Sequence, residues 1–236
     1  AYEISCSLGG SEMCIRDRHR FTDYRDLVNC DIVDAVDICT SNDAHFKVAM
    51  AAVEAGKPFN LEKPITLTAE EADILAKAAQ EKNVKNMVCF SYRFKAAARY
   101  AKDLIAQGKI GRVYHVNMQY FQAWGLPRAN CPLVWRYVKS RTGTGALGDL
   151  GSHALDLVRF VTDKEYTRVV GHTGTYVHER PLLDGKGVGK VDVDDFSNYM
   201  ADMEDEISVS FQITRFAYGR GNYCLLYTSP SPRDCS

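Results

Sequence analysis

One stretch near the front of the chain constrains the fold more than any other. Residues 31 to 40 (DIVDAVDICT) form a short run dense in Val and Ile, the composition of a strand buried on both faces of a parallel sheet. Ser41, Asn42 and Asp43 follow with helix N-cap chemistry. Phe46, Met50 and Val53 then recur at helical spacing until Gly56 closes the helix. The pattern repeats at once: residues 58 to 61 predict a short strand ended by Pro64, and Thr68 with Glu71 makes a capping box for a helix to about Lys82. Residues 86 to 90 predict a third strand. Strand, helix, strand, helix, strand at this spacing means βαβ units and a parallel, doubly wound sheet.

Beyond Arg93 the grammar changes. A helix with Ala97, Ala101, Leu104 and Ile105 on one face ends at Gly108. Residues 113 to 121 then alternate, with Tyr114, Val116, Met118 and Tyr120 facing one way and His115, Asn117 and Gln119 the other. Residues 207 to 214 do the same, with Ile207, Val209, Phe211 and Ile213 on the apolar side. Such alternation marks a sheet with one face on a core and one open, typically antiparallel. Further strands are expected near residues 166 to 177 and 193 to 203. A helix over 145 to 161 would bury Leu147, Leu150, Ala154, Leu157, Val158 and Val161. The fold class is therefore α/β: a partial doubly wound sheet, then an α+β domain with a large, mostly antiparallel sheet.

The two ends differ in texture, with Ser, Gly and Pro but no helical or strand periodicity. The strings SEMCIRDR and LLYTSPSPRDCS resemble translated adapter read-through at the ends of reading frames assembled from environmental DNA; an ordinary disordered tail would look equally unstructured. The expected division is residues 1–18 a non-native-looking end, 19–92 the partial sheet domain, 93–222 the second domain and 223–236 a non-native-looking tail. On this view the chain is an internal piece of a longer protein.

Charge and cysteines narrow the chemistry. Lys plus Arg (29) and Asp plus Glu (30) nearly cancel, leaving a net charge of -1, so no basic footprint points to nucleic acid or an anionic membrane surface. No apolar run reaches the length a membrane helix needs. The eight cysteines form no CxxC pair and no zinc-ligand spacing, and Cys6, Cys14, Cys224 and Cys235 lie in the two ends. His115, His172 and His178 have no partner at ligand spacing, so no metal is expected. GxSxG, HExxH and P-loop motifs are absent.

Gly143, Gly145 and Gly148 match GxGxxG, with Asp163 twenty residues after the first. The context rejects a dinucleotide fingerprint, because one helix is expected to occupy the stretch to Asp163 where a second strand is needed. Asp149 also directly follows the last glycine, placing a carboxylate where pyrophosphate would meet bare N–H groups.

Two places could carry chemistry. Lys63, in Glu62-Lys63-Pro64, sits at the carboxyl end of a predicted parallel strand, where ligands bind in open α/β sheets; it could hydrogen-bond a substrate oxygen and stabilise developing charge, or be a solvated strand-end lysine. Asp149 and His153 lie four apart near the start of a helix, a spacing that suits proton transfer, since a carboxylate can orient an imidazole. A plain helix-surface pair would show the same spacing.

Together these elements resemble the glucose-fructose oxidoreductase and inositol dehydrogenase (Gfo/Idh/MocA) family. The matching stretches are DAVDICTSNDAHFKVAMAAVEAGKPFNLEKP, the Tyr92-Arg93-Phe94 corner, GKIGRV, WR followed by GTGALGDLGSHALDL, and VDVDDF, from about Phe21 to Tyr223. The resemblance implies an NAD- or NADP-binding Rossmann domain followed by a substrate and oligomerisation domain. It implies that Lys63, Asp149 and His153 are catalytic: His153 as the base taking a hydroxyl proton, Lys63 binding that oxygen, Asp149 binding substrate and supporting the relay. Cofactor contacts would fall on Thr40, Ser41, Asn42, His45, Glu62, Lys63, Arg93, Trp135 and Arg136, with Glu62 near the nicotinamide. Ser41 stands where proline is common, and Thr144 lies within the glycine-rich turn. The family's opening strand, glycine-rich turn and acidic second strand have no counterpart here, so NAD and NADP are not distinguished.

The activity implied is hydride transfer between a sugar, inositol or related polyol and a nicotinamide cofactor, in a cytoplasmic homo-oligomer joined through the second sheet. A non-catalytic sugar-sensing relative would be expected to have lost one of Lys63, Asp149 and His153. A glycosidase of the same family that uses the cofactor transiently remains open.

Overall fold

The structure is a computed structural model that describes residues 21 to 218 and the backbone of 223 to 227; the expected non-native front end and most of the tail lie outside the described residues. The chain divides into two compact units after Cys89.

The first unit holds α1 (Tyr24–Val28), β1 (Val36–Ile38), α2 (Asn42–Glu54), β2 (Phe59–Leu61), α3 (Ala69–Glu81) and β3 (Asn86–Val88). The three strands pair in parallel in the order β1-β2-β3, with Ile38, Leu61 and Val88 in one row. Thr68 caps α3, its hydroxyl accepting from Glu71 N at 3.2 Å while the Glu71 carboxylate accepts from Leu67 N, so the predicted box forms with a one-residue offset. Val36, Ile38, Phe59 and Leu61 pack against Val48, Ala52, Val53 and Leu75 of both helices.

Two expectations change. The first strand spans three residues rather than ten, because residues 30 to 33 close a turn in which Val33 N donates to Cys30 O. Its two faces also differ. Both helices pack on the side of Val36 and Ile38, and the opposite side carries Asp37, Asn60 and Met87, where Asn60 Nδ2 donates to Asp37 Oδ1 at 2.7 Å. An open hollow of about 430 Å³ lies at the amino ends of these strands, lined by Ala35, Pro58, Lys85 and Asn86 among others.

The second unit adds α4 (Ala96–Ala106), β4 (His115–Phe121), α5 (Lys139–Thr142), α6 (Ser152–Thr162), β5 (Tyr166–Gly174), β6 (Glu179–Pro181), β7 (Val188–Lys190), β8 (Phe196–Met203), β9 (Ser208–Thr214) and β10 (Tyr223–Tyr227). The large sheet runs β10-β4-β9-β8-β5. Three of its pairings are antiparallel and β4 with β9 is parallel, so alternation correctly predicted a one-faced sheet but not the direction of that pair. The predicted apolar sides of β4 and β9 are buried against Leu150, Ala154, Leu157 and Val158, with Ala98, Ala101 and Ile105 of α4 packed alongside. Tyr114 and Ala97, expected on those apolar faces, are exposed because they precede the sheet ladder and the helix contact. The segment set aside as tail supplies β10 over Tyr223–Tyr227, whose backbone pairs with β4; ladder bonds need backbone groups only, which is why apolar periodicity does not reveal it. Among the described residues no helix is long and apolar enough to cross a membrane.

Candidate active site

In the first unit, the carboxyl ends of β1 and β2 collect six of the predicted site residues. Ser41 is the N-cap of α2, and its hydroxyl donates to Asp43 Oδ1 at 2.6 Å. Asn42 opens the helix and is buried, and the Thr40 hydroxyl oxygen is buried with no hydrogen-bond partner. Glu62 N continues the ladder by donating to Ile38 O, and its carboxylate accepts from Lys63 N at 3.1 Å, holding the Glu62–Lys63 turn. The Lys63-Pro64 peptide is cis.

His45 differs from expectation. It is fully buried, with Nδ1 2.7 Å from Pro64 O and Nε2 3.2 Å from Thr40 O. A ring so enclosed meets no ligand directly; it ties the loop after β1 to the loop after β2. Just after β1, burial and then the carboxylates of Asp37 and Glu62 push the Cys39 thiol up to about 12, so it stays protonated at neutral pH.

In the second unit, Asp149 lies not in an α-helix but in a π-turn, Leu147–Gly151, that leads directly into α6, whose second residue is His153. The glycines serve close packing. A Cβ on Gly145 would lie 1.8 Å from Asp194 O, and one on Gly148 would lie 2.2 Å from Thr144 Oγ1. Gly145 N and Leu147 N donate to the two carboxylate oxygens of Asp194, at 2.6 and 2.7 Å. These N–H groups are thus already satisfied by the chain's own carboxylate, and Asp163 is the left-handed C-cap of α6 rather than a ribose ligand. The glycine pattern is a turn device, as the sequence context required.

Three aromatic rings enclose His153: Tyr92 edge-on at 4.9 Å between centroids, Phe90 at 6.2 Å and Tyr120 at 6.3 Å. The Tyr92 and Tyr120 hydroxyls are 2.6 Å apart. Gln122 Nε2 reaches the Tyr120 hydroxyl at 3.5 Å, and Trp124 Nε1 donates to Gln122 Oε1. The result is a half-buried imidazole at a helix start, bordered by phenols, an amide and an indole, groups that suit a hydroxylated ligand.

Arg93 is held by an ion pair within the second unit. Its guanidinium forms a bidentate pair with the buried Asp156 carboxylate, Nε donating to Oδ2 at 2.7 Å and a terminal nitrogen to Oδ1. That bond raises the Arg93 pKa further above its ordinary value. Trp135 and Arg136 form a short turn in which the Arg136 guanidinium lies over the indole, 4.4 Å from its centroid.

Sequence reasoning assigned no task to the aspartates of VDVDDF. Asp192 accepts from Lys139 N, Asp194 holds the glycine turn, and Asp195 accepts from Tyr176 N and Val177 N while pairing with Arg215. Both Asp195 and Arg215 are fully buried. Arg215 also donates to Asp194 O at 2.8 Å and lies over the Tyr137 ring, which also has the Arg180 guanidinium at 4.0 Å. Asp195 is fully buried, so its carboxylate must find donors inside the fold, and those donors lie far along the chain. Among the described residues no group of three or more His, Cys, Asp or Glu could hold a metal ion, and His115, His172 and His178 are exposed.

Comparison with known proteins places the chain. The family described as "GFO/IDH/MocA C-terminal domain" matches residues 98–229, and "Oxidoreductase family, NAD-binding Rossmann fold" matches residues 14–90. The chain belongs to the Gfo/Idh/MocA family. Levoglucosan dehydrogenase of Pseudarthrobacter phenanthrenivorans is 37% identical over 214 residues, covering 86% of this chain and 54% of that protein. An NADP(+) scyllo-inositol 2-dehydrogenase of Bacillus subtilis is 33% identical over 134 residues, covering 57% and 36%. A solved levoglucosan dehydrogenase in complex with NADH and levoglucosan superposes with a TM-score of 0.83 at 38% identity, covering 88% of this chain and 55% of that one. The chain spans about half the length of the curated relatives it matches.

Proposed function

We propose that the full-length protein carrying this sequence is an NAD- or NADP-dependent oxidoreductase that acts on a secondary hydroxyl of a sugar or polyol. The observation that carries it is the set of three groups this family member retains: Lys63 at the carboxyl end of a parallel strand, with Asp149 and His153 at the π-turn and first turn of α6.

In this reading His153 accepts the proton of the substrate hydroxyl as the C–H bond on the same carbon breaks. The Lys63 ammonium hydrogen-bonds that oxygen and stabilises the charge it gains. Asp149, one turn before His153, binds substrate and favours the protonated imidazole once formed. A nicotinamide dinucleotide, when bound, supplies the hydride acceptor, which no side chain can. The residues fit it: the buried, unpaired Thr40 hydroxyl, Ser41 and Asn42 at the start of a thirteen-residue helix, and Glu62 at the neighbouring strand end offer hydrogen-bond groups at the edge where such ligands bind. Trp135 and Arg136 are the second unit's candidates for the same ligand. His45 and Arg93 act by positioning. The test is polyol-dependent reduction of NAD+ or NADP+ by the full-length protein, followed by nicotinamide absorbance across a panel of pyranoses, anhydrosugars and inositols. Turnover of one of these is expected; no reduction with any of them would overturn the reading.

The open face of the large sheet supports self-association as well. It presents a polar grid in which Gln119 donates to Gln212 at 2.9 Å and Arg168 pairs with Asp202, beside exposed Val170 and Met200. Sedimentation of the full-length protein is expected to show an oligomer that Val170→Lys with Met200→Lys weakens. A monomer at micromolar concentration would remove this part of the proposal.

A further inference from the structure

The turn Ser91–Phe94 is joined to α6 by two adjacent contacts that the proton chemistry above leaves unexplained. Arg93 grips Asp156, which lies three residues after His153 and so on the same side of the helix. Its neighbour Tyr92 meets the His153 ring at 4.9 Å with the planes at 87°. Tyr92 is held in its turn: its hydroxyl bonds that of Tyr120 at 2.6 Å, the two rings are perpendicular at 5.8 Å, and the Lys95 ammonium lies over its face at 4.2 Å. Tyr120 is 3% exposed on β4, so the phenol that fixes Tyr92 is itself embedded in the sheet's core.

An imidazole on a helix swings about two side-chain torsions, and the second is broad. A proton acceptor works only when that swing is confined, because reaction rates fall steeply with small misplacements of reacting groups. Perpendicular aromatic contact supplies such confinement, with a preferred geometry of ring edge against ring face. We infer that Tyr92 is a positioning residue for His153: locked by Tyr120 and by the Arg93–Asp156 clamp, its ring holds the imidazole at one tilt while the proton is transferred. This rests on the role proposed for His153 above. It also explains why Arg93, exposed enough to suggest a ligand contact, is spent on the helix that carries the base.

The experiment compares Tyr92→Leu, Tyr92→Phe and His153→Ala in the full-length enzyme. Tyr92→Leu removes the ring and, compared with the parent well below the variant's Tm, is expected to lower kcat by about a hundredfold with KM for the dinucleotide unchanged. Tyr92→Phe keeps the ring and is expected to restore kcat to within about tenfold of the parent. A Tyr92→Leu enzyme with parental kcat, or Leu and Phe variants equally impaired, would overturn the inference. His153→Ala separates the two readings, since full turnover by that variant sinks the role of the base instead. In that event the NMR signals of the His153 ring in the 236-residue chain decide on Tyr92 alone. Displaced and broadened signals in Tyr92→Leu support the positioning contact, and unmoved signals refute it.

Discussion

Replacing Arg215 by methionine is expected to destabilise the second unit by about 3–5 kcal/mol, the cost of leaving a buried carboxylate without its cation. Arg215 and Asp195 are both fully buried, and their 3.2 Å pair sits beneath the loop of Arg136, the glycine turn and the Tyr137 ring. For a domain of this size each kcal/mol lowers Tm by about 2–4 °C, so calorimetry of the variant should show a fall of roughly 10 °C. Removing both charges with Arg215→Met and Asp195→Leu often restores stability at such sites. Here it is expected to restore less than half, because Asp195 also accepts from Tyr176 N and Val177 N, and each N–H left unsatisfied costs about 1–3 kcal/mol. A Tm for Arg215→Met within two or so degrees of the parent would show that the pair is dispensable.

If the proposed mechanism holds, His153→Ala in the full-length protein is expected to lower kcat by about 10²–10⁴, the range for loss of a positioned general base. Lys63→Ala should fall in the same range through loss of charge stabilisation at the reacting oxygen. The two should differ in KM. In the proposed mechanism the lysine binds the oxygen before and during reaction, so Lys63→Ala is expected to raise KM for the polyol as well, whereas His153→Ala is expected to act chiefly on kcat. Because the His153 ring packs against Tyr92, Phe90 and Tyr120, its removal leaves a void, and the rates must be compared well below the variant's Tm. Parental kcat in both variants would end the proposed mechanism.

Much of the fold was legible because it is written in short-range patterns. The Thr68 cap, the two helical repeats between three short strands, and the alternation of β4 and β9 are each decided within a dozen residues. The site was legible in part. Lys63, Asp149 and His153 stand where a strand end and a helix start were expected, and the false glycine fingerprint was rejected on its context. The contacts that hold His45 and Arg93 were not legible, because their partners, Pro64 O and Asp156, are 19 and 63 residues away. The Asp194 and Asp195 bonds span 47 and 49 residues to the glycine turn and 20 to Arg215, so no local pattern declares them.

By itself the sequence determined the two-part architecture, the parallel character of the first sheet and the one-faced character of the second. Hydrophobic period and capping chemistry are local, and they suffice for that. Only the tertiary structure decided which polar residues are consumed in holding the fold, as the buried Asp195–Arg215 pair and the enclosed His45 are. A buried carboxylate or guanidinium must find its partner wherever the chain brings one, and that search runs across the fold rather than along the sequence.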